Sequence, residues 1–251
     1  MEISEYLTAL DAEGRALASA AREAGPEALV PTCPGWRIRD LVRHTGMVHR
    51  WATAFVVEGH RTYRPASAEP DLDGDALFDR FSEGHGLLVD ALRAAPAGLE
   101  CWTVFPAPSS ALAFWARRQA HETRIHRVDA ESARGGTRTP VAAPHAADGI
   151  DELLAGFHAR AKSRVRTDSP RTLRVRAVDT SAVWTLRLSD APPLTVRGAA
   201  ALDTPADCTL SGTAEELYLV LWNRLPLSSV DLSGDREIAG LWAENSAVVW
   251  S

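Results

Sequence analysis

Cysteine is scarce in this chain, and lysine almost absent. The three cysteines, Cys33, Cys101 and Cys208, lie far apart, are odd in number and form no CxxC pair. A disulfide framework is thereby excluded, and a reducing cytoplasm is the expected compartment. Lys162 is the only lysine among 27 basic residues, a bias that points to genome base composition rather than to function. No long basic run offsets the net charge of −6, so no nucleic-acid partner is expected. No apolar run reaches 18 residues, and the opening MEISEYLTALDAEGR is too polar for a signal peptide. No membrane association is therefore expected. Internal repeats and low-complexity tracts are also missing.

What remains is an ordinary globular composition, 45% apolar and 24% charged over 251 residues, enough for one or two domains. The most informative stretch is Phe114 to Glu131, FWARRQAHETRIHRVDAE. It has no Gly or Pro and reads as one helix. Glu122, His126 and Asp129 are four and then three apart, so they stack on one helical face. A carboxylate and an imidazole one turn apart suit a divalent metal such as zinc. The same spacing also suits a solvated salt-bridge face. HETRIH is not the zinc-protease HExxH, because His121 and His126 are five apart and diverge by about 140° at about 100° per residue. His121 falls instead with Ile125 and Val128, as a packed histidine.

Around this stretch the chain reads in order. Residues 3–24 form an amphipathic helix with a Leu7, Leu10, Leu17 stripe, ended by Gly25-Pro26. After the turn VPTCPGW, a second helix runs from about Arg37 to Glu58 on Ile38, Leu41, Val42, Thr45, Val48 and Ala52. His44 borders that stripe and can face an interior, while His49 lies on the flank. Residues 60–73 are a loop, a third helix covers about Asp75 to Ala95, and a second loop at 96–109 holds Cys101, Trp102 and Pro106-Ala107-Pro108. Four such helices predict an antiparallel bundle, in which metal sites form from inward-facing side chains.

The Gly- and Pro-rich 132–146 reads as a linker, giving domains 1–140 and 146–251. A fifth helix is expected from about Ala147 to Arg164. The period then changes to two: Leu173, Val175 and Ala177, and after a turn at 179–181, Trp184, Leu186 and Leu188, make a hairpin. Further strands are expected at 193–197, 207–211 and 230–232. Thr213 with Glu216 is a capping box for a helix running to Pro226. Asp235 or Ser233 opens a last helix through Trp242. The fold class is α+β.

VPTCPGWRIRDLVRHTGMVHRWA, RRQAHETRIHRVDAE and the tail LSGTAEELYLVLWNRLP together resemble the mycothiol-dependent maleylpyruvate isomerase family, within the DinB-like metalloproteins. The resemblance covers nearly the whole chain. It implies a DinB-like four-helix bundle holding a divalent metal, usually zinc, followed by a mixed sterol-carrier-like domain. It places the metal ligands on His44, Glu122 and His126, an orienting role on Asp129, and a substrate-binding arginine on Arg224, for which a helix-dipole role is the plain alternative. The implied cofactors are the metal and mycothiol. The partners are this low-molecular-weight thiol and a small electrophilic acid approaching between the two domains.

Three protein ligands leave a fourth position open, as in catalytic zinc sites. A thiol held there as thiolate can add reversibly to a maleyl double bond and leave the trans isomer. Other outcomes stay open from sequence: a mycothiol S-transferase, a metal-dependent hydrolase, or a binding protein with a relic site. Cys33 is an internal-nucleophile candidate, set against the simpler reading of a turn cysteine.

Overall fold

The computed structural model describes residues 1–106 and 109–248. Ala107 and Pro108 of the second loop lie outside the described residues. The chain divides into two compact units, Met1–Thr139 and Pro140–Ser251.

The first unit is a bundle of α1 (Ile3–Ala24), α2 (Ile38–Glu58), α3 (Gly74–Ala94) and α4 (Ala111–Arg134). Local chemistry sets the ends. Glu2 and Glu5 form a reciprocal capping box on α1, and Gly25 ends it at φ 84°. Asp73 accepts from the Gly74 N–H at the head of α3. Ser110 accepts from the Ala113 N–H, so α4 begins a turn before Phe114, and it continues to Gly135 at φ 79°. The α1 stripe of Leu10, Leu17 and Ala21 is fully buried against the other helices, and α4 packs most extensively against α1.

One expectation needs correcting. The fourth helix is not amphipathic. From Phe114 to Glu131 every residue except Arg117 is buried, although eight of the buried residues are charged or histidine. Charge compensation makes this possible. Glu13 on α1 accepts from Arg124 Nε and Arg127 Nε, both at 2.7 Å. Arg127 also donates to Glu131 at 2.7 Å and to the Thr139 carbonyl at 2.6 Å. Glu131 in turn accepts from the Thr139 hydroxyl at 2.7 Å. Isolated ions here would cost several kcal/mol each.

The second unit opens with α5 (Ala143–Asp151), which passes directly into a π-helical turn at Glu152–Phe157. Helical winding therefore starts earlier and stops sooner than the expected 147–164 span. The sheet has the order β3-β2-β1-β4-β5, with β1 (Arg171–Ala177), β2 (Val183–Leu188), β3 (Leu194–Arg197), β4 (Cys208–Gly212) and β5 (Asp231–Gly234). β1 and β2 form the hairpin, pairing Val175 with Trp184. β4 lies parallel to β1, so the sheet is mixed. Gly234, at φ 86°, is required where it stands, since a Cβ would sit 2.1 Å from the Asp207 carbonyl oxygen.

Thr213 and Glu216 cap α6 (Ala214–Leu221). That helix does not reach Pro226: Asn223 adopts a left-handed φ of 59°, a turn that ends helices. Asp235 caps α7 (Arg236–Asn245), accepting from the Glu237 N–H. Among the described residues, no helix is long and apolar enough to cross a membrane.

Two measurements follow from this packing. Glu13→Ala takes its carboxylate from Arg124, 3% exposed, and one of two carboxylates from Arg127, 0% exposed, so urea unfolding should show a loss of about 3 kcal/mol; a loss below about 0.5 kcal/mol would contradict the compensation. In the second unit, the His158 ring packs at a tilt against Trp242, 4.6 Å between centroids, and burial pushes its pKa down to about 4. A depressed histidine pKa means the unfolded state takes the proton first. Stability from this group is thus present above the ordinary value near 6.5 and lost as pH falls toward 4. Acid titration of unfolding should show that loss, and His158→Phe should flatten it.

Candidate metal centre

The site is built on α2 and α4 and closed by the turn between α1 and α2. His44 comes from the second turn of α2, and Glu122 and His126 from successive turns of α4. Glu122 Oε1 lies 3.5 Å from His44 Nε2 and 3.3 Å from His126 Nε2. One donor atom from each residue lies within 4.8 Å of the others. Glu122 is 4% exposed, which excludes a solvated salt-bridge face. Its two oxygens are in different situations. Oε2 accepts from Arg118 Nη2 at 3.1 Å. Oε1 is buried with no hydrogen-bond partner among the described residues.

A buried, unsatisfied carboxylate oxygen is costly. Here it faces two imidazole nitrogens too distant for good hydrogen bonds. A carboxylate oxygen and two imidazole nitrogens around one point are a donor set that a divalent ion takes. The residues present therefore fit such an ion.

Electrostatics support the same arrangement. Burial acts to raise the Glu122 pKa, but the neighbouring His126 and His44 imidazoles and the Arg118 charge hold it well below the ordinary carboxylate value. Burial acts to lower His126, yet Asp129 and Glu122 outweigh it and push its pKa up to about 9.

Asp129 stands behind His126, with Oδ2 2.9 Å from Nδ1. This contact fixes which ring nitrogen faces Glu122. Asp129 is itself held from the turn at residues 30–36. The Thr32 hydroxyl donates to Oδ1 at 2.6 Å, and the Cys33 thiol to Oδ2 at 3.3 Å. Backbone bonds fold that turn, Val30 N–H to the Trp36 carbonyl at 2.9 Å and Trp36 N–H to the Cys33 carbonyl at 3.0 Å, with Gly35 at φ 86°. The fold brings the Trp36 ring to 5.1 Å from the His44 ring and parallel to His126 at 6.3 Å. Trp36 thus walls the site with an apolar face.

Sequence reasoning missed Thr32, Trp36 and Arg118 as site residues. Arg118 was findable, since it precedes Glu122 by four positions on a helix. The other two are separated from Asp129 and His126 by about ninety residues of chain, and no local pattern connects them.

The neighbouring histidines serve the core. His121 is fully buried beside Tyr6 and Arg124. His49 does not lie on the flank of α2: it is fully buried, with Nε2 2.8 Å from the Thr123 hydroxyl. Burial is the largest influence on it and pushes its pKa well below the ordinary value. Arg224 belongs to the second unit, just after α6. Its Nη1 donates to the Trp222 carbonyl at 2.7 Å, a cap on the helix end.

Residues 7–131 match the model of the mycothiol maleylpyruvate isomerase N-terminal domain, and residues 144–240 match the model of the C-terminal domain of the same family. Two crystal structures are similar over most of the chain. One is of a mycothiol-dependent maleylpyruvate isomerase, at 15% identity and TM-score 0.63. The other is of a histidine-to-alanine variant of such an enzyme, at 15% identity and TM-score 0.65. Each similarity covers 93% of both chains. No curated protein sequence matches the chain.

If the three donors share an ion, His126→Ala should cut bound metal from about one per chain to near zero by elemental analysis, while His121→Ala and His49→Ala retain it. Asp129→Asn should weaken affinity about 10- to 100-fold, because the imidazole loses its orienting acceptor. Full metal content in His126→Ala would remove that residue from the site.

Proposed function

Because the chain belongs to the mycothiol maleylpyruvate isomerase family, we propose that it is a metal-dependent, mycothiol-dependent isomerase of a small maleylpyruvate-like acid. The observation that carries this reading is the buried, unpartnered Glu122 Oε1 facing His44 Nε2 and His126 Nε2. Those three side chains would hold a divalent ion, zinc by its donor set. When bound with a position open, the ion supplies Lewis acidity that favours the deprotonated form of a thiol.

The chain's own residues do the rest. Arg118 occupies the second Glu122 oxygen and leaves the first to face the imidazoles. Asp129 holds the proton on His126 Nδ1, so that Nε2 presents its lone pair. Thr32 and Cys33 keep Asp129 in place. Trp36 excludes water from one side of the site, which strengthens every electrostatic interaction within it. Arg224 is the proposed carboxylate partner, since a guanidinium matches a carboxylate in charge and fork geometry.

The test is turnover of maleylpyruvate by zinc-loaded protein with and without mycothiol. The expected result is activity that needs both and leaves thiol concentration unchanged. Consumption of one thiol per product would make the protein an S-transferase. Undiminished turnover without thiol would make it a hydrolase. Arg224→Ala should raise KM at least tenfold while metal content stays at the wild-type level; an unchanged KM would exclude Arg224 from substrate binding.

A further inference from the structure

The second unit carries a concavity of its own. It has a volume of about 280 Å³ and lies between the chain that follows the π-helical turn and the residues that follow α7. That size is at the low end of small-molecule sites. Its apolar wall is Phe157, Ala247 and Val248. Its charged wall is Arg160, Lys162 and Arg164.

Local sequence and local bonds put these cations there. From His158 to Arg166, four of nine residues are Arg or Lys and none is acidic, in a chain whose net charge is −6. The His158 N–H donates to the Leu153 carbonyl at 3.0 Å and ends the π-helical turn. The chain then turns back, with the Ser163 N–H donating to the Arg160 carbonyl at 3.0 Å. Ser163 Oγ lies 2.9 Å from Nδ1 of the buried His158 and accepts from the Val165 N–H at 3.3 Å. Within this braced turn the Arg160 guanidinium sits over the Phe157 ring, 5.0 Å from its centroid.

The charge around the concavity is unbalanced. None of the described residues lining it is a carboxylate. Arg164 is exposed and makes no ion pair among the described residues. Arg166, the next cation, is turned to the Val165 and Ala161 carbonyls at 2.8 and 3.3 Å. His158, with its pKa lowered by burial to about 4, is neutral at pH 7. The carbonyl end of α7, whose last residue Asn245 lines the concavity, offers about half a negative charge. That answers only a fraction of three positive charges.

From this arrangement we infer that the concavity binds a phosphate monoester with a small apolar body, held by Arg160, Lys162 and Arg164. A monoester carries close to two negative charges at neutral pH and three acceptor oxygens on one centre. Two guanidiniums and an ammonium around one small space suit that group, whereas a single carboxylate is satisfied by one arginine fork. Phe157, Ala247 and Val248 receive the apolar part. Every residue involved belongs to the second unit, so binding there requires neither the metal nor the thiol.

Lys162 supplies the probe. It is the only lysine in the chain, so protein grown with nitrogen-15 lysine gives one labelled backbone amide signal, from the wall of the concavity. Titration with phenyl phosphate at constant ionic strength should move that signal saturably, with half-saturation at about 1 mM or below. Arg164→Gln should weaken binding about tenfold or more, since it removes one charged donor to the phosphate. Arg171→Gln removes the same charge from outside the concavity and should leave the affinity unchanged. A wild type whose signal does not move saturably would overturn the proposal. So would wild-type affinity in Arg164→Gln, or equal weakening in both variants, which would reduce binding to general charge attraction. Benzoate binding as tightly as phenyl phosphate would overturn the assignment to phosphate and make the site one for carboxylates.

Discussion

A charged helix in the middle of a bundle is the constraint on which the first unit depends. α4 is buried on nearly every side from Phe114 to Glu131, and buried ions are tolerated only when paired. Glu13 answers Arg124 and Arg127, Glu131 answers Arg127, and Glu122 answers Arg118. These pairs are geometric commitments. They fix the rotation of α4 about its axis and its height against α1, and so determine where Glu122 and His126 point. With apolar side chains of similar volume in place of the pairs, the rotational register would rest on shape alone.

Against that background the candidate metal centre is where, among the described residues, a buried carboxylate oxygen of α4 is left uncompensated. Each other buried carboxylate of the helix is met by donors. Glu122 keeps one oxygen without a partner among the described residues, opposite two imidazoles. The surrounding groups hold this arrangement rather than relieve it: Arg118 ties down one oxygen, Asp129 orients His126, and the turn at 30–36 secures Asp129. A rigid, pre-oriented set of donors with an unmet charge requirement favours a cation without reorganisation on binding.

The architecture was legible in the sequence wherever a local signal decides it. Helical stripes, capping residues at Thr213 and Asp235, and the switch to period two at Leu173 all act over a few residues. The misreadings fall where the decision is made at a distance. The burial of α4 depends on Glu13, more than a hundred residues away. His49 was read as flanking because its partner, Thr123, is on another helix. The ends of α5 and α6 moved because a π-turn at 152–157 and a left-handed Asn223 carry weak sequence signals. In the site, the spacing of Glu122, His126 and Asp129 shows a shared face, while the contribution of Thr32, Cys33 and Trp36 becomes visible only once the turn is folded against α4.

X-ray absorption at the zinc edge, on protein loaded with zinc and free of added thiol, addresses the ligand set most directly. The account predicts two imidazole nitrogens and a carboxylate oxygen at about 2.0–2.2 Å with no sulfur, and one sulfur at about 2.3 Å appearing when mycothiol is added. Sulfur ligation before any thiol is added would mean that Cys33 or another cysteine holds the ion, and would contradict the assignment of His44, Glu122 and His126.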